Sequence, residues 1–321
     1  MNLEAIERLS ATERDLLEGE TLDFTSARKS QVFEIATAGR EPSDEVIDVS
    51  RWQTAELSDA MQGLPEVEIR ADVYDYVPSE GDVDDWWVNF ADPDLFFGWA
   101  GELFAQDELQ IAEHPALAAL RVRLERTSEV EPRTTGRHRA ATPVLVKGVP
   151  RRVGVDLAPR RDVGLPFGIY GREFGRASEA AVRAVCTIVD PPTRSNLIAM
   201  AAPSPGVGTY GRGTIESVLR TAVTGFGAAV AESDRGVVVH TGYWGCGAFG
   251  GNRELMVGLQ VVAAVGAGVQ KIVIHTVKDD GRADAVAGLE FARAIEVNAG
   301  MQEVVEVILG RKLTWGASNG T

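Results

Sequence analysis

Two stretches of this chain hold residues whose types and spacing suit them to chemistry. The first is Gln106-Asp107-Glu108, placed where a helix is expected to begin, with Phe96, Phe97, Trp99 and Phe104 just upstream. Neighbouring carboxylates at a helix N-terminus feel its dipole, and rings beside them exclude water. Desolvation raises a carboxyl pKa and suits the group to giving up a proton in a reaction. The same triplet also reads as an acidic first turn that stabilises a helix and does nothing else. The second stretch, residues 236–251, reads GVVVHTGYWGCGAFGG. A short apolar run leads into a loop with five glycines from Gly242 to Gly251, and a helix opens near Asn252. Strand, glycine loop and helix N-terminus together make an anion cradle, because backbone N–H groups converge and glycine lets the chain approach a phosphate closely. A tight connection without any ligand is the plain alternative. Trp244, Cys246 and Phe249 between the glycines are unusual for a mere turn.

Other chemistries find little support. No Gly-Lys-Ser/Thr follows the loop, whose glycines run GxxGxGxxGG. No Gly-x-Ser-x-Gly elbow is present. His114, His138, His240 and His275 show no HxxxH or HExxH spacing, and Cys186 and Cys246 no CxxC, so no metal site is expected. Cys246 reads as a packed small residue.

Positioning these stretches requires a scaffold, and the pattern of short β-like runs alternating with helical ones supplies it. Strand candidates are residues 67–74, 86–90, 143–146, 153–157, 185–189, 236–240 and 271–276. Helix candidates are 213–231, 254–264 and 283–298. This alternation predicts a three-layer α/β/α sandwich on a largely parallel sheet, with ligands at the carboxyl ends of the strands. Residues 129–139 and 158–176 read as long irregular segments. The first ~60 residues read as polar and helical, with Leu3, Ile6 and Leu9 at helical spacing, a capping pair in Thr12 and Asp15, and a second helical pattern over 43–61. They form an accessory layer in this reading, giving an N-terminal extension over 1–62 and a main domain over 63–321.

The chain has 321 residues, with 32 Lys+Arg against 47 Asp+Glu and a net charge of −15. That acidity disfavours general nucleic-acid binding. Two cysteines exclude a disulfide framework and fit a reducing cytoplasm. No apolar run approaches the ~18 residues of a membrane span, and the N-terminus lacks a signal peptide's apolar region. The Arg-rich stretches 133–139 and 151–161 would either guide a polyanion or simply be solvated loop charge.

Taken together, the two motifs resemble those of the poly(ADP-ribose) glycohydrolase family. That family carries GGG, then six to eight residues, then QEE; here Phe96-Phe97-Gly98 is followed after seven residues by Gln106-Asp107-Glu108. Its loop TGNWGCGAFGGD is matched by Thr241 to Asn252, TGYWGCGAFGGN, with two differences. The resemblance spans roughly residues 67–315 and points to a divergent bacterial-type member. It implies a macrodomain-like mixed sheet with an N-terminal helical extension, no cofactor, and ADP-ribose or an ADP-ribosylated substrate as partner. It implies that Glu108 protonates the departing glycosidic oxygen and then activates water, that Asp107 holds a ribose hydroxyl, and that Gln106 helps hold ribose and backbone. The loop residues Tyr243, Trp244, Gly245, Cys246, Gly247, Ala248 and Phe249 would wrap the diphosphate, with Phe249 setting the distal ribose. Gly98 and Phe97 fall on the glycine motif. The family's DFAN reads Asn89-Phe90-Ala91-Asp92, which puts Asn89 with the catalytic group and Asp92 with the substrate-binding one, acid and amide exchanged. Departures cluster at the pocket: two rings replace glycines, and Tyr243 replaces an asparagine. Tyr170 and Phe167 are candidates for stacking on adenine. The expected activity is hydrolysis of the ribosyl bond of poly- or mono-ADP-ribosylated substrates. The alternative is a non-catalytic ADP-ribose reader that kept the phosphate loop.

Overall fold

The computed structural model describes residues 3–55, 63–295, 300–318 and 320. Eight strands, β1 (Ala5–Thr12), β2 (Val46–Trp52), β3 (Glu66–Arg70), β4 (Val83–Ala91), β5 (Val144–Val155), β6 (Cys186–Ala201), β7 (Gly236–Gly242) and β8 (Lys271–His275), form one sheet. Their order is β1-β2-β5-β6-β4-β7-β8-β3. The half from β6 to β3 is parallel, while β6, β5, β2 and β1 pair antiparallel. The helices are α1 (Glu13–Gly19), α2 (Ala27–Thr37), α3 (Gln106–Glu113), α4 (Ala116–Thr127), α5 (Glu179–Val185), α6 (Arg212–Ala231), α7 (Arg253–Ala267), α8 (Arg282–Arg293) and α9 (Met301–Gly310).

Period-two alternation along the strands divides the core into layers. Trp86, Val88, Ile198 and Met200 face the helices α6 to α9. Trp87, Leu197, Ala199, Val144 and Val146 face the opposite way, against α1, α3 and α4. A third cluster joins Val32 and Ala36 of α2 to Phe104, Phe174 and α5, with Phe104 and Phe174 stacked at 4.0 Å. The expected three-layer α/β/α mixed sheet is the observed one.

The N-terminal region departs from its helical reading. Thr12 and Asp15 do form a reciprocal cap on α1, at 2.9 and 3.0 Å. Leu3, Ile6 and Leu9, however, are not on a helix. Residues 5–12 are strand β1, in which Leu9 and Ala11 are buried and Ile6 is exposed. Within 43–61, Val46, Ile47, Val49 and Trp52 form strand β2, and residues 56–61 lie outside those described. Apolar residues spaced by three satisfied a helical count, but the β-branched run at Val46-Ile47 and burial at Leu9 and Ala11 follow period two. β1 and β2 extend the sheet through β5. Glu13 and Arg152 tie this region to β5 by a fully buried two-bond ion pair at 2.5 and 2.6 Å.

Two further expectations merge. Candidates 143–146 and 153–157 are one strand, β5, interrupted by a register shift near Gly148. The candidate at 185–189 continues to Ala201; its prolines, Pro191 and Pro192, lie in the exposed stretch where β6 pairs only with β5. Residues 296–298 of the last helix candidate are outside those described.

Candidate active site

The carboxyl ends of β4, β6 and β7 meet at one cleft, as a parallel sheet requires. One wall is the start of α3. Its N-cap, Ala105, has no hydroxyl to give, so the first turn is capped from the other side: Glu108 Oε2 accepts the Ala105 N–H at 2.9 Å. Gln106 docks the helix on the last turn of β4. Its Oε1 accepts the Phe90 N–H at 2.7 Å and its Nε2 donates to the Val88 carbonyl at 3.1 Å. Asp107 Oδ1 accepts from Asn89 Nδ2 at 2.9 Å. Asp107 and Glu108 are 6% and 7% exposed, which makes the electrostatics of the pair a matter of desolvation.

Burial pushes both carboxyls up. Asp107 is raised to about 8 by burial and then by the Glu108 charge, against the Asn89 amide and Lys29. Glu108 is raised by burial, opposed first by Lys29. Asp92 adds negative charge to both. A carboxyl raised in this way holds its proton to higher pH than an exposed one and is suited to donating it. The acid–amide exchange at Asn89 and Asp92 now has a physical reading. A third buried acid at position 89 would repel Asp107, whereas Asn89, 0% exposed, donates to it. Asp92 sits in the half-buried lining instead.

Gly98 lies directly behind the acid. A Cβ at this position would stand 2.8 Å from Glu108 Cγ and 2.9 Å from Cδ, so only glycine leaves room for the carboxylate. Phe96 takes the left-handed φ of +56° and is fully buried in the core, while Phe97 is 66% exposed. Neither ring lines the cleft.

The opposite wall is the glycine loop. Gly245 at φ +74° turns the chain, with Ala202 only 2.5 Å from where its Cβ would be. Internal bonds from Trp244, Cys246, Gly250 and Gly251 N–H groups close the loop. Among the described residues, the N–H groups of Gly245, Gly247, Ala248 and Phe249 donate to no protein acceptor. Trp244 is fully buried and donates to the Met200 carbonyl at 2.9 Å. Asn252 caps α7 by accepting the Leu255 N–H at 3.0 Å.

Between the walls the cleft holds about 150 Å³. It brings together Asp92, Gln106, Asp107, Glu108, Trp244, Gly245, Gly247, Ala248 and Phe249. Other residues named from sequence stand elsewhere. Asn89 and Gly98 act from behind the carboxylates. Tyr243 points away, its hydroxyl donating to the Gly281 carbonyl and its ring under Arg253 at 4.8 Å. Cys246 is not in the lining, and burial pushes its thiol up to about 12, far from a nucleophilic thiolate. Tyr170 lines the cleft near Glu108, while Phe167 is 78% exposed and outside it. The Arg-rich stretches are largely paired within the protein, Arg151 with Glu113, Arg152 with Glu13, Arg160 with Asp162 and Arg133 with Asp94. Lys29 is the residue that sequence reasoning missed. A lone lysine in a polar segment carries no signal, yet it is 3% exposed and donates to the Gly98 carbonyl.

Among the described residues there is no group of three or more side chains able to hold a metal, and no helix is long and apolar enough to cross a membrane.

This sheet and cleft define a macrodomain-type fold. Residues 192–284, which include the glycine loop, match the family described as poly(ADP-ribose) glycohydrolase (PARG), Macro domain fold. A solved structure of poly(ADP-ribose) glycohydrolase bound to the inhibitor ADP-HPD, from Thermomonospora curvata, shares the fold with a TM-score of 0.53 at 16% identity. The likeness covers 82% of this chain and 97% of that one. The Deinococcus radiodurans glycohydrolase in complex with ADP-ribose is similar at 11% identity, with TM-score 0.42 over 88% of this chain and 94% of that one. A search of curated proteins finds no match. The match to that family thus covers residues 192–284, and the fold of the Thermomonospora curvata glycohydrolase is shared over most of the chain.

Proposed function

We propose that this protein is an ADP-ribosyl glycohydrolase with Glu108 as general acid and then general base. The observation that carries the reading is the opposition, across one cleft, of a buried carboxyl pair, its pKa values raised by burial, to a loop with unspent N–H groups. Cleavage of a ribosyl bond passes through an oxocarbenium-like state. It needs a proton for the leaving oxygen, a base for the incoming water and an anchor for the rest of the nucleotide. Glu108 supplies the proton and afterwards takes one from water attacking C1″. Asp107, held by Asn89, faces a ribose hydroxyl. The loop N–H groups of Gly247, Ala248 and Phe249 take the diphosphate, as oriented amides do without a basic surface. The substrate is an ADP-ribose unit linked through C1″ to a further ADP-ribose or to another acceptor, and the product is free ADP-ribose.

A crystal structure with ADP-ribose tests the binding half of this proposal. Diphosphate oxygens are expected about 3 Å from the Gly247 to Phe249 nitrogens, with the distal ribose over Glu108. A diphosphate bound elsewhere would overturn the assignment of the loop.

A further inference from the structure

Helix α2 belongs to the segment that the motifs do not reach, yet it is built into the catalytic wall. Its entry clasps the turn that carries Gly98. Thr25 and Ser26 N–H groups donate to the Ala100 carbonyl at 3.1 and 2.9 Å, and the Thr25 hydroxyl donates to the same oxygen at 2.9 Å. Phe24 packs edge-on against Trp99 at 5.1 Å. One turn into the helix, Lys29 reaches the Gly98 carbonyl, and Gly98 in turn is the surface on which the Glu108 carboxylate rests.

We propose that Lys29 is a positioning residue of the active site, holding the Gly98 turn against Glu108 and setting, by its charge, when the carboxyl pair releases its proton. This rests on Glu108 being the general acid. The groups facing Lys29 are Glu108 and Asp107 on α3 and Glu102 on the preceding segment; Glu102 also lies 3.6 Å from Arg28. Burial lowers Lys29 to about 8, against the pull of those three acids. Its charge opposes burial at both carboxyls of the pair. A buried lysine with its charge turned on an acid pair, and its hydrogen bond spent on the turn behind that pair, does more than fill space.

The sign of the effect follows. A cation stabilises the carboxylate form, so removing it raises the pKa of the general acid. The acid must be protonated to act, so the alkaline limb of kcat/KM moves to higher pH. Profiles of ADP-ribose release should therefore be measured for the wild type, Lys29→Met and Lys29→Arg, each checked for folding by thermal melting. For Lys29→Met the limb should rise by about one pH unit, with a plateau lowered about tenfold or more by the freed turn. Lys29→Arg should keep the limb at or below the wild-type position, because arginine stays charged above pH 8. A Lys29→Met limb that coincides with the wild type overturns the proposal, whatever happens to the plateau. Glu108→Gln run alongside separates the two claims: turnover surviving in that variant refutes the Glu108 role. NMR titration of the carboxyl carbons in folded Lys29→Met reads the shift without turnover. An unshifted pair there sinks the Lys29 role on its own.

Discussion

Glu108→Gln is expected to slow ADP-ribose release by about 10²–10⁴-fold, the usual contribution of a placed general acid–base. The substitution is nearly isosteric, and its amide oxygen can still accept the Ala105 N–H that Glu108 Oε2 takes at 2.9 Å, so the first turn of α3 keeps its cap. ADP-ribose affinity should change only a few-fold, since the proposed diphosphate contacts lie on the other wall. The loss should therefore fall on kcat rather than KM, and steady-state kinetics with a parallel calorimetric titration will separate the two. The pH profile carries a second signature. Burial raises both Asp107 and Glu108, so the wild type should remain active up to an alkaline limb and lose activity above it as the acid ionises. Residual Glu108→Gln activity should lack that limb.

Gly98→Ala is expected to be almost as damaging although it touches no substrate. The added methyl would stand 2.8 Å from Glu108 Cγ, and neither partner can give way cheaply. Glu108 is tied to Ala105, and the Gly98 carbonyl is tied to Lys29. A displacement of about 1 Å at a catalytic group costs on the order of 10²-fold in rate, and the forced repacking about 1–3 kcal/mol in stability. Gly101→Ala is the control. Its Cβ would meet only the Gly98 carbonyl, at 4.0 Å, so activity should be nearly unchanged. Equal losses in the two variants would show that the turn, rather than the seat of the carboxylate, limits activity.

The difference between those two glycines illustrates how far the sequence could be read. Gln106, Asp107, Glu108 and the glycine loop announce themselves by residue type and spacing, because their chemistry needs those groups in a short run. The central strands β4, β7 and β8 and the helices α6 and α7 follow from apolar periodicity. What escaped was set by packing across distant parts of the chain. Whether Phe96 blocks or clears the cleft depends on a left-handed backbone at one residue, and it turns inward into the core. Tyr243 sits within the most telling motif and yet points to Gly281. Lys29 comes from residues that spacing arguments assigned to an accessory helical layer. Strand β1 hid there too, since three leucine-like residues three apart satisfy a helical count by chance. No local rule brings α2 to the back of Glu108; the long-range fold does.

The acidity of the chain also acquires a narrower meaning. A net charge of −15 repels long polyanions at a distance, and most arginines of the basic stretches are spent on internal pairs. The recognition proposed for the loop, by backbone amides, needs no basic surface and suits one compact diphosphate.

Turnover decides between a hydrolase and a protein that only binds. Purified wild-type protein should be incubated with poly(ADP-ribosyl)ated and with mono(ADP-ribosyl)ated substrates, and free ADP-ribose quantified by mass spectrometry against Glu108→Gln. The account predicts steady release from at least one substrate by the wild type and loss of about 10²-fold or more in the variant. ADP-ribose binding without release from any substrate, or release that is indifferent to Glu108→Gln, would contradict it.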